Sequence, residues 1–189
     1  MNEEFEKLFV LRSPPVLLTE SQKDYDDFVA HLMEELDPKD IFDELNIRDA
    51  AEGAWHIRRV RCSRPSIINM SFRKAIVQLL VWELRTHQEI EAQILADRWF
   101  TSEKVKAELA ALLKKYSLNE LAIEALAIKL NGADLERLGR EMAMWEDRRD
   151  KAINKIFKRR ADDLAYRVRA ATQRAIDGDG GSLDQRGTA

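Results

Sequence analysis

Apolar residues recur at helical spacing along most of this chain, and the runs are interrupted at prolines, serines, threonines and aspartates. Tyr25, Phe28, Val29, Leu32, Met33 and Leu36 follow one another at alternating steps of three and one, which marks one apolar stripe on an α-helix. Thr19 and Gln22 stand ahead of them in a capping-box pattern, so a first helix is expected to open at Thr19. Asp37-Pro38 is expected to end it and begin a second, with Asp37 as cap and Pro38 at the first helical position. The second helix is expected over 38–61, with Ile41, Leu45, Ala51, Ala54, Trp55 and Ile57 as its apolar surface. Pro65 is expected to break the chain, because proline has no N–H and crowds the preceding turn.

A third helix is expected from Ser66, carrying Ile68, Phe72, Ala75, Ile76, Leu79, Leu80 and Trp82, and its pattern runs on through Ile90 and Ile94 towards Trp99. Thr101 or Ser102 caps a fourth, with Val105, Leu109, Leu112 and Leu113 inside it. Ser117 and Glu120 form a second capping-box pattern, which opens a fifth. Leu121, Ala122, Ala125, Leu126, Ile128 and Leu130 make that fifth segment apolar nearly all round, which predicts burial.

From Leu135 the spacing becomes heptad-like: Leu135, Leu138, Met142, Trp145, Arg149, Ala152, Ile156. It weakens at Arg159 and Asp163. Continued to Ala175, such a helix is about 60 Å long at ~1.5 Å per residue and projects beyond a compact domain unless another helix or chain covers it. No stretch alternates cleanly as a strand does, and Asn131-Gly132 is flanked by helical patterns. The fold class expected is therefore all-α, a helical bundle with a long, projecting C-terminal helix. Residues 1–18, with Ser13-Pro14-Pro15, read as an extended arm; 19–130 as the bundle; 131–176 as the long basic helix; 177–189 as a disordered tail.

Composition supports this reading. Apolar residues are 45% of 189, enough for a core, and charged residues are 34%, above the usual ~25%. Seven glycines and four prolines leave long helices uninterrupted. A single cysteine, Cys62, excludes an intrachain disulfide and fits a reducing compartment. The start Met1-Asn2-Glu3-Glu4 is acidic where a secretory signal is basic, and no apolar run reaches the ~20 residues that span a bilayer. A cytoplasmic protein with no membrane partner is the expectation.

Several segments resemble a family of helical bacterial proteins, common in alphaproteobacterial genomes, to which no activity is assigned. They are Leu36-Asp37-Pro38, the run from Asp49 through Trp55-His56-Ile57-Arg58-Arg59, and Asn69-Met70-Ser71-Phe72-Arg73-Lys74-Ala75. Ala122-Ile123-Glu124-Ala125, Leu135-Glu136-Arg137-Leu138 and Trp145-Glu146-Asp147-Arg148-Arg149-Asp150-Lys151-Ala152 complete the set. Proteins of that family often begin with a basic, Gly/Ser-rich arm, which this chain lacks. The resemblance implies a helical fold and carries no activity with it.

Charge is the most informative feature after periodicity. Acids dominate up to Glu52, among them Asp24, Asp26, Asp27, Asp37, Asp40, Asp43 and Asp49. A basic block follows, with Arg58, Arg59, Arg61, Arg64, Arg73 and Lys74 and no acid between Ala54 and Trp82. A second block holds Arg148, Arg149, Lys155, Lys158, Arg159, Arg160, Arg167, Arg169 and Arg174, and the net charge of −3 hides this asymmetry. Arg58, Arg59, Arg61 and Arg64 with Arg148, Arg149, Lys155 and Arg159 are candidate phosphate contacts for a nucleic acid. The competing reading is that the acidic N-terminal helices, or a partner subunit, neutralise the basic ones. The low pI of 5.8 argues against a dedicated DNA-binding domain.

Glu52 with His56, and Glu83 with His87, are i,i+4 pairs that together could make a four-ligand metal site. Di-metal bundles use Glu-x-x-His instead, so surface pairs are the plainer reading. Cys62 lies among arginines with no histidine within a turn, the glycines form no phosphate loop, and no motif calls for a cofactor or small-molecule ligand. Trp55, Trp82, Trp99 and Trp145 are expected as core or interface anchors. The expectation for function is a non-enzymatic scaffold or adaptor. Its C-terminal helix associates with a protein partner or its own copy through Leu138, Met142, Trp145 and Ile156. The alternative is a nucleic-acid-associated protein, and a metal-dependent helical enzyme comes last.

Overall fold

The computed structural model describes residues 16–180, with side chains over 16–174. Among these the protein is all-α, with six α-helices: α1 (Gln22–Leu36), α2 (Ile41–Gln78), α3 (Glu89–Trp99), α4 (Glu103–Lys115), α5 (Leu121–Leu130) and the long C-terminal α6 (Gly132–Gly180). One π-helical turn, Leu79–Glu83, follows α2. The arm of residues 1–15 and the tail of 181–189 lie outside the described residues.

Several boundaries differ from those expected, each for a local reason. Ser21, not Thr19, caps α1, accepting a hydrogen bond from the Asp24 amide at 3.1 Å. Asp37 does not open α2; it ends α1 in the left-handed region (φ 43°), its amide bonded to the Met33 carbonyl at 3.0 Å. Aspartate tolerates that conformation better than most side chains. Asp40 is the α2 cap, its carboxylate accepting from the Asp43 amide at 2.9 Å. Ser102 caps α4 as expected. Ser117 is instead a left-handed turn residue (φ 57°), the N-cap position of α5 is Glu120, and Asn119 Oδ1 accepts from the Leu121 amide at 3.0 Å.

The largest difference is at Pro65, which does not break the chain: α2 passes straight through it. Proline removes one amide donor and leaves the other hydrogen bonds of the ladder available. Here the Ser63 and Ser66 hydroxyls bond back to the Arg59 and Cys62 carbonyls at 2.9 and 3.0 Å, and Pro65 itself faces solvent. The break comes later. After the π-turn, Arg85 takes a left-handed φ of 52°, and α3 begins at Glu89, so no continuous helix reaches Trp99.

Contacts divide the chain into two compact units: Met1–Trp55 with Trp145–Ala189, and His56–Met144. In the first unit Tyr25 and Val29 of α1 pack on Ala51 and Trp55 of α2, the Tyr25 and Trp55 rings edge to face at 5.3 Å. Ala152 and Ile156 of α6 are buried in the same unit. Gly53 sets the approach of α2 to α6, because a Cβ there would lie 3.0 Å from Arg149 Cβ and 3.2 Å from the Trp145 carbonyl oxygen. In the second unit Ala75, Ile76, Leu79 and Leu80 meet Ala92 and Ala96 of α3, Leu109 and Leu113 of α4, and Ile123, Leu126 and Ala127 of α5. The fifth predicted segment is thus buried on one face only, since Leu121 is exposed. Asn131 ties α5 to α2 by donating to Ser71 Oγ at 2.7 Å.

Candidate functional site

The first unit places the acidic start of α2 against basic α6. Asp43, the buried charged residue of the described chain, receives Arg159 at 3.4 Å, Arg160 at 3.2 Å and the Lys39 amide at 3.2 Å. Arg159 also pairs with Asp40 at 2.5 Å, and this guanidinium holds the Asp40 carboxyl below the usual carboxylate range. Arg160 donates to the Leu36 and Asp37 carbonyls at 2.5 and 3.1 Å, satisfying acceptors that the end of α1 leaves open. About three turns earlier on α6, Arg148 pairs with Asp49 at 3.0 Å and Glu52 at 3.6 Å, and lies 5.1 Å over the Trp145 ring. Burial, with the Glu52 charge adding to it, pushes the Tyr25 hydroxyl up to about 12.

Much of the second basic block is therefore neutralised within its own unit. Arg148 and Arg159 hold carboxylates of α2, and Arg149 pairs with its neighbour Asp150 at 2.8 Å. Lys155 lines an open cleft of ≈ 580 Å³ with Phe42, Leu45, Asn46, Lys158, Arg159 and Asp162. In that cleft the exposed Phe42 ring sits 5.2 Å from the Arg159 guanidinium. Arg58, Arg59, Arg61 and Arg64 belong to the other unit; the first three have interaction partners, His56 Nδ1 at 3.1 Å from Arg59 among them.

The metal-site geometry is not formed. Among the described residues no three His, Cys, Asp or Glu groups come together. Glu52 faces Arg148, His56 faces Arg59, and His87 Nδ1 stands 2.9 Å from Thr86 Oγ1. Glu83 sits on the π-turn. Cys62 is exposed. Of the tryptophans expected as core or interface anchors, Trp82 is 70% exposed and so stands outside the core; the π-turn changes the angular spacing of the residues that follow Gln78.

The heptad-like run divides between fates. Ile156 has no exposed surface and Ala152 almost none, so the chain's own first unit already covers that end of the stripe. Trp145 is half-buried in the same unit, and Leu138 and Met142 are half-buried in the other. Beyond Ile156 the same register continues as Asp163, Arg167 and Arg174, which are charged and exposed. The apolar row moves a step round the helix, to Phe157, Ala161, Leu164, Val168 and Ala171. These five are spaced four, three, four and three apart, the a/d spacing of a coiled-coil seam, and all are exposed: Phe157 53%, Leu164 63%, Val168 57%, with both alanines open as well. From Ala161 to Arg174 only Ala170 is even partly covered. Sequence reading missed this seam because it followed the first register to its end at Ile156. The four-three spacing was legible from Phe157 onwards.

Among the described residues no helix is long and apolar enough to cross a membrane. No family model matches the chain, and no curated protein or solved structure matches it either, so the resemblance to a helical bacterial family rests on the segments that carry it.

Proposed function

We propose that this chain is a non-enzymatic helical scaffold or adaptor that works through protein–protein association of its C-terminal helix. The observation that carries the reading is the uncovered seam on α6. Five apolar positions at coiled-coil spacing are exposed among the described residues, and apolar surface of that regularity is stabilised by burial against another helix. The nucleic-acid reading is weaker on this geometry, because Arg148, Arg149 and Arg159 are engaged by carboxylates of the same unit. The contact row shifts accordingly, from Leu138, Met142, Trp145 and Ile156 to Phe157, Leu164 and Val168.

A photo-reactive amino acid at Val168, in the cells that make the protein, tests the proposal. A discrete protein adduct from Val168, absent when the group is moved to Tyr166 on the opposite side of α6, is the expected result. No adduct from any α6 position, or equal adducts from both sides, overturns it.

A further inference from the structure

The partner's chemistry follows from the residues that border the seam. At ~100° per residue the row from Phe157 to Ala171 covers only about 80° of the helix surface, narrower than the stripe of a helix packed in a globular core. A stripe that narrow matches one partner helix. It is too thin, and too alanine-rich, for an amphipathic helix lying in a lipid surface, which uses a broad bulky face. Along one edge stand Arg160, Arg167 and Arg174, one heptad apart. Along the other stand Lys158, Ala165 and Thr172. No acid borders the seam on either side, since Asp162 and Asp163 lie further round.

Those edges decide between a second copy and a different chain. In an antiparallel pair of α6 helices the arginine rows would face each other, and like charges across a coiled coil are disfavoured. In a parallel pair the arginines would meet Ala165 and Thr172, which offer no charge to attract them. Arg160 is already engaged by Asp43. Arg167 pairs with Asp163 of its own helix, an exposed i,i+4 partner at 2.9 Å, and such pairs are weak in solvent. The Arg174 side chain is exposed.

We infer that the α6 seam docks an acidic amphipathic helix of another protein, with apolar positions against Phe157, Leu164 and Val168 and carboxylates against Arg167 and Arg174. This rests on the adaptor reading and names its partner class. The uncovered part of α6, from Ala161 on, is of a length at which a helix without tertiary support is marginal in water, so the docked helix also stabilises the surface that recognises it.

The test uses the full chain and two labelled three-heptad peptides, both with Leu at a and d, one with Glu and one with Lys at e and g. Fluorescence anisotropy at low and physiological salt should give saturable binding of the Glu peptide, at least about tenfold tighter than the Lys peptide. Leu164→Asp should abolish it. The double variant Arg167→Glu, Arg174→Glu should reverse the preference. All three positions are exposed, so unchanged far-ultraviolet circular dichroism serves as the folding control. Equal binding of both peptides, or Leu164→Asp binding like the wild type, overturns the inference. So does a wild-type dimer by light scattering that Leu164→Asp dissociates, which would put a second copy in the seam. Stronger capture by phosphatidylserine vesicles than by the Glu peptide would put a lipid surface there and overturn it equally. A protein adduct at Val168 together with any of these results leaves the adaptor reading standing and removes only the acidic helix; no adduct at all removes both.

Discussion

Arg160 Nη2 lies 3.2 Å from the buried Asp43 carboxylate, and the same nitrogen donates to the Leu36 and Asp37 carbonyls. One guanidinium thus joins the end of α1, the first turn of α2 and α6, across more than a hundred residues of sequence. Asp43→Asn removes the charge that Arg159 and Arg160 share and keeps the shape. The expected loss is about 1–2 kcal/mol, held down because the Arg159 and Arg160 side chains are 43% and 31% exposed and solvent screens them. Urea unfolding of Asp43→Asn, Arg160→Ala and the double variant checks it. Losses that simply add would mean the two residues do not act on each other.

Acid should weaken the fold in a defined window. Asp40 is held below its ordinary 3.8 by Arg159, Asp97 by Arg73, and Asp37 by Lys39. A carboxyl whose folded pKa is depressed contributes stability that is fully present above the unfolded value and is lost as pH falls through the folded one. Stability should therefore be flat with respect to these groups above about pH 5 and fall below 3.8. Asp40→Asn and Asp97→Asn should each flatten that fall. Urea midpoints measured from about pH 6 down to about pH 2.5 test this, and a fall that begins near neutrality would contradict it.

Gly53 lies where α2 and α6 approach closely, since a Cβ there would stand 3.2 Å from the Trp145 carbonyl oxygen. Gly53→Leu drives side-chain atoms into the Trp145 and Arg149 backbone and should cost about 1–3 kcal/mol. Gly53→Ala should cost less, because the gain in helix propensity of ~1 kcal/mol offsets part of the crowding. Thermal unfolding orders the three proteins as wild type, alanine, leucine. A leucine variant as stable as the wild type would mean the helices separate freely.

Pro65 sits on the solvent face of a continuous helix. Pro65→Ala restores one amide donor and relieves the clash with the preceding turn, while freeing the unfolded chain somewhat. A net gain of about 2 kcal/mol is expected. An unchanged urea midpoint would show that the helix had already absorbed the proline without cost.

Labelled duplex and single-stranded nucleic acid should show no binding that survives physiological salt, since the α6 arginines named as phosphate contacts hold carboxylates instead. Anisotropy titrations at two salt concentrations measure it. Retained binding that Arg58→Glu and Arg64→Glu abolish would return the nucleic-acid reading to first place.

The sequence by itself determined that the chain is helical and roughly where its apolar faces run. Periodicity and capping chemistry act within a few residues, so Ser102, Tyr25, Val29, Leu109, Leu113 and Leu126 were legible as cap and core. The passage of α2 through Pro65 was not, because one missing amide is weighed against the packing of Ile57, Val60, Ala75 and Ile76 on either side of it. Charge pairing was half legible. The acidic and basic blocks were plain in the sequence, but only the approach of α2 to α6 at Gly53 let Asp43 and Asp49 choose Arg159, Arg160 and Arg148. Ile156 and Phe157 mark the same limit most sharply: neighbours in sequence and both apolar, one has no exposed surface and the other is 53% exposed. A heptad pattern says that a helix face will be covered. Which register the chain covers itself, and which it leaves exposed, depends on where distant segments end.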